Sequence, residues 1–250
     1  MTASLLDGKH VASEITKKLK QQIISRSNEG LSTPGLAVIL LGNNPASSIY
    51  VANKRKACLD VGIDSYAFDL PMTTSETKLI ELIDELNNDP KIHGILVQLP
   101  LPSHICSTTI LERINPKKDV DGFHPYNLGR LAQGHPLLRP CTPYGVMQLL
   151  DYYKINPQGM NAVVIGASNI VGRPMALELL LARATVTICH RATQNLEQHI
   201  RNAEIIVVAT GVYDVIKPEW LQPQQIIIDV GIHRKANGTL HGDIDSAQAI

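Results

Sequence analysis

Ala162-Val-Val-Ile-Gly-Ala-Ser-Asn-Ile-Val-Gly-Arg-Pro174 is the stretch that decides the fold class. Its first four residues, Ala162–Ile165, form an apolar run too short for a helix and closed by Gly166, which predicts a buried strand. Gly166 permits the tight turn at the strand's end. The residues that follow predict a helix to about Leu181. A strand that passes through a glycine loop into a helix can open a dinucleotide-binding unit. The first turn of the helix offers free N–H groups and a partial positive charge to a pyrophosphate. Ser168 takes the place of the middle glycine in G-x-G-x-x-G, where its hydroxyl can bond a phosphate or cap the helix. On its own the loop also suits a glycine turn that binds nothing.

Working outward, strands and helices alternate in both directions. Downstream, the pattern predicts strand Thr185–Cys189, helix Leu196–Asn202, and strands Ile205–Ala209 and Ile226–Val230. Upstream, Val11, Ile15, Leu19 and Ile23 recur every four residues and predict an amphipathic first helix. Leu36–Leu41 and Ile92–Leu99 read as buried strands, the second stopped by Pro100 and Pro102, and Tyr66–Leu70 as a weaker one. Helices are expected at Ser47–Val61, closed by Gly62, at Ser75–Leu86 with Ser75 as N-cap, at Ile105–Ile114 and at Thr142–Tyr153. Residues 115–143 read as irregular and rich in Gly, Pro and Asn, which suits site loops and a change of domain. The fold class is α/β: two α/β domains, residues 1–140 and 141–250, the second a Rossmann-like parallel sheet, with a ligand cleft expected between the two.

Bulk composition narrows the function classes. Lys+Arg and Asp+Glu are both 23, and 44% of the 250 residues are hydrophobic. That balance gives no basic surface for nucleic acid. No apolar run approaches a membrane span, and the first residues lack a signal-peptide apolar run. Cys58, Cys106, Cys141 and Cys189 are scattered without metal-type pairing and are expected to be buried free thiols in a cytoplasmic protein. No metal site is expected.

Three features carry chemistry. Tyr50 and Lys54 lie four apart on one helix face, a spacing that allows proton chemistry if the lysine is desolvated. By spacing alone, Lys54-Arg55-Lys56 equally fits a solvated helix surface. A short-chain dehydrogenase carries such a pair after its glycine loop, whereas here it comes more than a hundred residues before. Gln98 sets one amide among apolar residues and must find a partner, either a ligand or Lys54. Asp119 and Asp121 share a Gly/Pro loop, where one carboxylate can accept two N–H bonds from a heterocycle while the other caps local backbone. At the end of the second strand of the cofactor half, Cys189-His190-Arg191 has no carboxylate to hold ribose hydroxyls. Arg191 suits a 2′-phosphate, so NADP is favoured over NAD.

Taken together, Tyr50-Val-Ala-Asn-Lys54, Gly94 to Pro102, Pro116 to His124, Pro140 to Gly145, Gly166 to Pro174, and Asp229-Val-Gly-Ile232 with Gly242-Asp243 resemble, in order, the bifunctional methylenetetrahydrofolate dehydrogenase/methenyltetrahydrofolate cyclohydrolase family. The resemblance implies a reduced folate substrate, NADP as cofactor and a homodimer built through the cofactor domain. It implies Lys54 as the catalytic lysine, Tyr50 as its helical companion, Gln98 as its polar tuner and Asp121 as the carboxylate that anchors the pterin. Gly166, Ser168, Arg191 and Ile232 are implied as cofactor contacts. Many relatives carry Arg where this chain has Ala167, which leaves Arg191 as the main group for the 2′-phosphate. Relatives also continue into a glycine-rich loop and a last helix, and the physical protein is expected to extend past Ile250 in the same way. Two other classes fit parts of the pattern. One is a non-catalytic NADP-binding relative of the enzyme. The other is a two-domain NADP dehydrogenase acting on an amino or hydroxy acid, which the Gln98 strand and the Asp121 loop disfavour.

Overall fold

A computed structural model describes residues 4–234 and 239–245. The chain divides into two compact units: residues 8–129, and residues 4–7 together with 130 onward.

In the first unit, helix α1 (Gly8–Asn28) precedes strand β1 (Gly35–Leu41), helix α2 (Pro45–Val61), strand β2 (Asp64–Leu70), helix α3 (Glu76–Asn88), strand β3 (Gly94–Val97) and helix α4 (Ser107–Arg113). The three strands run parallel in the order β2-β1-β3. Strand β1 is apolar throughout because it is covered on both faces, the pattern of a parallel sheet under helices. Ala37, Ile39 and Leu41 pack with Leu79 and Ile83 of α3 and Ile110 of α4. Val38 and Leu40 face the other way and pack with Val51 of α2 and Leu96 of β3. The chain leaves α2 through Gly62, whose φ of 89° is the left-handed stop expected of it. Ser75 caps α3 by accepting from the Lys78 amide.

Helix α5 (Pro125–Ala132) was not foreseen, and it contains the division between the units. Its sequence Pro-Tyr-Asn-Leu-Gly-Arg-Leu-Ala carries Asn and Gly at central positions, which lowers helix propensity. Strand β3 is shorter at both ends than its apolar run. Its ladder nonetheless continues as single bonds from the His93 amide to the Gly35 carbonyl and from the Gln98 amide to the Ile39 carbonyl, 2.8 and 2.9 Å. In α1, Val11 is buried while Ile15 and Leu19 are exposed. The helix forms as its period predicts, but the described residues cover only part of its stripe. Of the cysteines, Cys58 and Cys189 are buried and Cys106 and Cys141 exposed, so the expectation of four buried thiols fails for two; all four are free.

The second unit contains helix α6 (Cys141–Tyr152), strand β4 (Asn161–Ile165), helix α7 (Gly172–Leu181), strand β5 (Thr185–Cys189), helix α8 (Leu196–Arg201) and strands β6 (Ile205–Val208) and β7 (Ile226–Asp229). A two-stranded ribbon, β8 (His233–Arg234) with β9 (Leu240–His241), follows. The sheet is parallel, in the order β5-β4-β6-β7. Ala162 and Val164 pack on one face with Met175 and Leu179 of α7. Val163 and Ile165 pack on the other with Ile200 of α8. The crossovers therefore leave β4 and β5 on opposite faces, which opens a crevice outside the carboxyl ends of the central strands.

A buried ion pair ties α7 to the segment entering α6. The Glu178 carboxylate is fully buried and receives both Nε and a terminal nitrogen of Arg139, whose guanidinium lies 4.2 Å from the centre of the Tyr144 ring. Loss of the Glu178 side chain removes both bonds from Arg139, whose side chain is only 26% exposed and so recovers part of its hydration. Glu178→Ala is expected to lower unfolding stability by about 3 kcal/mol, and Glu178→Gln, which keeps one acceptor, by about half as much. Denaturant titration checks this, and native-like stability in the alanine variant would show that the pair contributes nothing net.

Candidate active site

Three local rules bring Lys54, Gln98 and Asp121 together in the first unit. Burial of Val51 fixes the rotation of α2, and Lys54, about one turn further on, shares its side of the helix. Gln98 lies two residues beyond Leu96, so the two-residue period of an extended chain puts it on the sheet face that α2 covers. The Lys54 Nζ donates to Gln98 Oε1 at 3.4 Å. The other end of that amide is fixed, since Gln98 Nε2 donates to the Leu99 carbonyl at 2.7 Å. The amide therefore presents its oxygen to the lysine.

Asp121 arrives on a segment that runs beside β3. The Ile95 amide donates to the Lys118 carbonyl at 2.7 Å, and Ile95 and Asp119 form a parallel bridge. Gly94 makes this approach possible, because a Cβ there would overlap the Val120 side chain. Lys118 anchors the segment by donating its ammonium to the carbonyls of Leu86 and Asp89, both at 2.9 Å. One of the two acids caps local backbone as the loop suggests. Asp119, buried, accepts from the amides of Phe123 and His124 and from Asn127 Nδ2. Asp121, half-buried, accepts no hydrogen bond from any described residue. Burial pushes its carboxyl above the ordinary range, the Lys54 charge opposes that rise, and Asp119 adds to it. Tyr50 sits one turn before Lys54 on α2, 47% exposed, with no hydrogen-bond partner for its hydroxyl among the described residues.

A second constellation lies at the carboxyl ends of the strands in the second unit. Gly166 has φ 123°, and a Cβ there would overlap the Ala209 carbonyl. The loops after β4 and β6 therefore touch backbone to backbone. Gly172 is needed for the same reason, against the Gly166 carbonyl. The Ser168 hydroxyl accepts from the amides of Val171 and Gly172 at 3.1 and 3.3 Å, so it satisfies two amides at the entry to α7. The amides of Ala167 to Ile170 donate to no described group. Ile165 and Cys189 are in register across β4 and β5, which places Arg191 just past that strand end. Arg191 is exposed and pairs with no described residue. Ile232, 56% exposed, follows the carboxyl end of β7.

Sequence reasoning missed what holds these ends together. Asp229 accepts from the amides of Gly231, Asp243 and Ile244. Asp243, fully buried, accepts from Thr210, Gly211 and His233. The only signal in the sequence is a glycine beside each acid's partner strand. A Cβ on Gly231 would strike Asp243, and one on Gly242 would strike Asp229.

Comparison with known proteins agrees with this division. The family model described as tetrahydrofolate dehydrogenase/cyclohydrolase, catalytic domain, matches residues 6–121, and the one described as the NAD(P)-binding domain of the same proteins matches residues 140–250. A Legionella pneumophila protein named bifunctional protein FolD is 58% identical over all 250 residues, which cover 88% of its length. The crystal structure of the Campylobacter jejuni bifunctional enzyme FolD superposes with a TM-score of 0.96 at 47% identity, over 98% of this chain and 87% of that one. The Trypanosoma brucei methylenetetrahydrofolate dehydrogenase-cyclohydrolase, solved with NADP cofactor and inhibitor, gives a TM-score of 0.94 at 34% identity, over 100% of this chain and 88% of that one. The chain belongs to the tetrahydrofolate dehydrogenase/cyclohydrolase family.

Proposed function

We propose that this protein oxidises 5,10-methylenetetrahydrofolate to 5,10-methenyltetrahydrofolate with NADP and hydrolyses the product to 10-formyltetrahydrofolate. Beyond family membership, the observation that carries the reading is the convergence of Lys54, Gln98 and the desolvated Asp121, which feels the Lys54 charge and accepts no hydrogen bond from the described residues. A non-catalytic relative would have no reason to keep a lysine, its orienting amide and a raised carboxyl in one place. The first unit takes the folate and the second the cofactor, and the functional domains assigned to them are residues 1–140 and 141–250.

The second unit fits NADP. Gly166 leaves room for close backbone approach, the loop offers free amides, and Arg191 supplies a guanidinium with no carboxylate beside it. Bound NADP supplies the hydride acceptor. The chain's own residues position the folate so that the methylene carbon can lose hydride, and the methenyl cation left behind is resonance-stabilised. Orientation therefore matters more here than a strong base. Asp121 anchors the pterin by accepting its N–H groups, and Tyr50 gives the ring a neighbouring surface. For hydrolysis, water adds to the methenyl carbon and loses a proton. The resulting hydroxyl then gives up its own proton to become the formyl C=O as one ring C–N bond breaks and the released nitrogen takes a proton, so one proton is released overall. Lys54 handles these transfers, with Gln98 fixing its ammonium. Ser168 and Ile232 complete the cofactor contacts.

No described helix is long and apolar enough to cross a membrane, and free cysteines suit a cytoplasmic protein. A homodimer through the cofactor unit is supported by β5, an edge strand, with Ile188 and the nearby end of α7, Leu180 and Leu181, exposed.

The absorbance change on mixing the protein with methylenetetrahydrofolate and NADP tests the reading directly, and silence in that assay would sink it. Lys54→Met is expected to cut hydrolysis of methenyltetrahydrofolate by about a hundredfold or more while NADP binding survives. Undiminished hydrolysis would remove Lys54 from the mechanism. Arg191→Ala is expected to raise KM for NADP about tenfold or more while KM for NAD changes little, the loss of one charge-assisted contact. Equal changes for both cofactors would show that Arg191 does not read the 2′-phosphate. Asp121 must be ionised to accept pterin N–H groups, and burial raises its pKa. As pH falls, KM for folate should therefore begin to rise at a pH above that of an exposed aspartate. In Asp121→Asn that acid limb should vanish, and a limb that persists there would belong to another group.

A further inference from the structure

We infer that Asp243 is a positioning residue for the cofactor: one buried carboxylate fixes both the loop after β6 and, through His233, the start of the ribbon that Ile232 precedes. The inference rests on the reading of the second unit as an NADP-binding unit, and adds to it the group that shapes the site from beneath.

The geometry is a single acceptor with two arms. Asp243 Oδ2 accepts from the Thr210 amide at 2.6 Å, the Thr210 hydroxyl at 2.7 Å and the Gly211 amide at 3.0 Å. Its Oδ1 lies 2.7 Å from His233 Nε2, and since the carboxylate can only accept, that nitrogen carries the proton. Burial pushes the Asp243 carboxyl up, but the donors from Thr210, His233 and Gly211 outweigh it and hold it below the ordinary range. The Asp243 carbonyl also receives the Asp214 amide at 2.8 Å, so the loop is held at both its start and its end. Tyr213 closes the arrangement with edge contacts to the rings of His233 and His241.

What these arms hold is the crevice itself. The first arm carries Thr210 and Gly211, next to the Ala209 carbonyl that touches Gly166. The second carries His233, next to Ile232. Val212 and Ile232 are 57% and 56% exposed, and each is within two residues of a ligand of Asp243. Two solvent-facing apolar side chains are thus held by one buried charge, as suits the flat face of a cofactor ring. A fully buried carboxylate is costly. Apolar packing would tie a loop to a ribbon without that cost, but it would not set two backbone amides and an imidazole in one fixed geometry.

The test separates positioning from folding and from recognition of the 2′-phosphate. His233→Leu deletes one arm at a partly exposed residue. KM and Kd for NADP and for NAD should rise together by about tenfold, the scale of a lost hydrogen bond to a charged group. The kcat of the dehydrogenase should move little. Hydrolysis of methenyltetrahydrofolate without cofactor, assigned to Lys54 in the other unit, should stay within about twofold of native. His233→Gln restores an N–H donor and should recover most of the affinity. Thr210→Val removes one donor, leaves both amide bonds in place, and should weaken both cofactors several-fold. Unchanged cofactor affinity in His233→Leu and Thr210→Val would overturn the inference, as would a parallel fall in hydrolysis, which would mark a general loss of folding. If the native protein bound neither NADP nor NAD, the reading of the unit would fail and the inference with it.

Discussion

Val38 and Ile39 in one unit, and Val163 and Val164 in the other, lie on opposite faces of their sheets and are closed off from water, and this exclusion of water dictates where polar chemistry can occur. An unpaired charge set mid-strand would lose its hydration with nothing to replace it. The covered strands β1, β3 and β6, and β4 after Asn161, therefore carry no polar side chains along their ladders, whereas the edge strands β2 and β5 carry Ser, Asp and Thr; on the covered strands the polar groups collect at the ends. Gln98 comes one residue after β3 ends, Gly166 one after β4, Arg191 two after β5, and Thr210 two after β6. The candidate groups at these strand ends are products of the same constraint, since parallel strands end together at one edge of the sheet.

The constraint also explains how much could be read in advance. Apolar runs such as Leu36–Leu41 and Ala162–Ile165 announce themselves because a strand covered on both faces has no polar positions to blur the pattern. Glycines at positions 62, 166 and 172 were legible because each performs a local task, a left-handed stop or a close backbone approach. The pairing of Lys54 with Gln98 was anticipated from the need of a buried amide for a partner, and the division between Asp119 and Asp121 from the economy of a tight loop.

What stayed hidden depends on contacts distant in sequence. Helix α5 is held in place by Asn127, which reaches Asp119 and the Pro116 carbonyl. A buried Asn weakens the periodic signal at the very position that fixes the helix. Ile15 and Leu19 repeat with a helical period, yet a period reports that a face exists and not what covers it. The Asp229–Asp243 pair is the extreme case. Fourteen residues apart, each acid occupies the space left by a glycine beside the other. Neither local composition nor spacing marks such an exchange. Arg139 and Glu178 are likewise 39 residues apart, and nothing local to either marks the other as its partner.

Counting hydrogen bonds assigns roles to the acids more sharply than burial does. A carboxylate has room for about four donors. Asp119 accepts two from its own loop and one from Asn127 of α5, Asp229 three from the turn after β7 and the segment after β9, and Asp243 four. These three are occupied in holding backbone that has left the sheet and lost its ladder partners, which loops otherwise satisfy with water. Asp121 sits two residues from Asp119, is desolvated enough to have its carboxyl raised, and accepts nothing from the described residues. A desolvated acceptor with every site open is poorly placed for stability and well placed for a donor that comes from outside. Its neighbour Asp119 meets the loop's own needs, which leaves Asp121 available, and the proposed pterin contact falls to it for that reason.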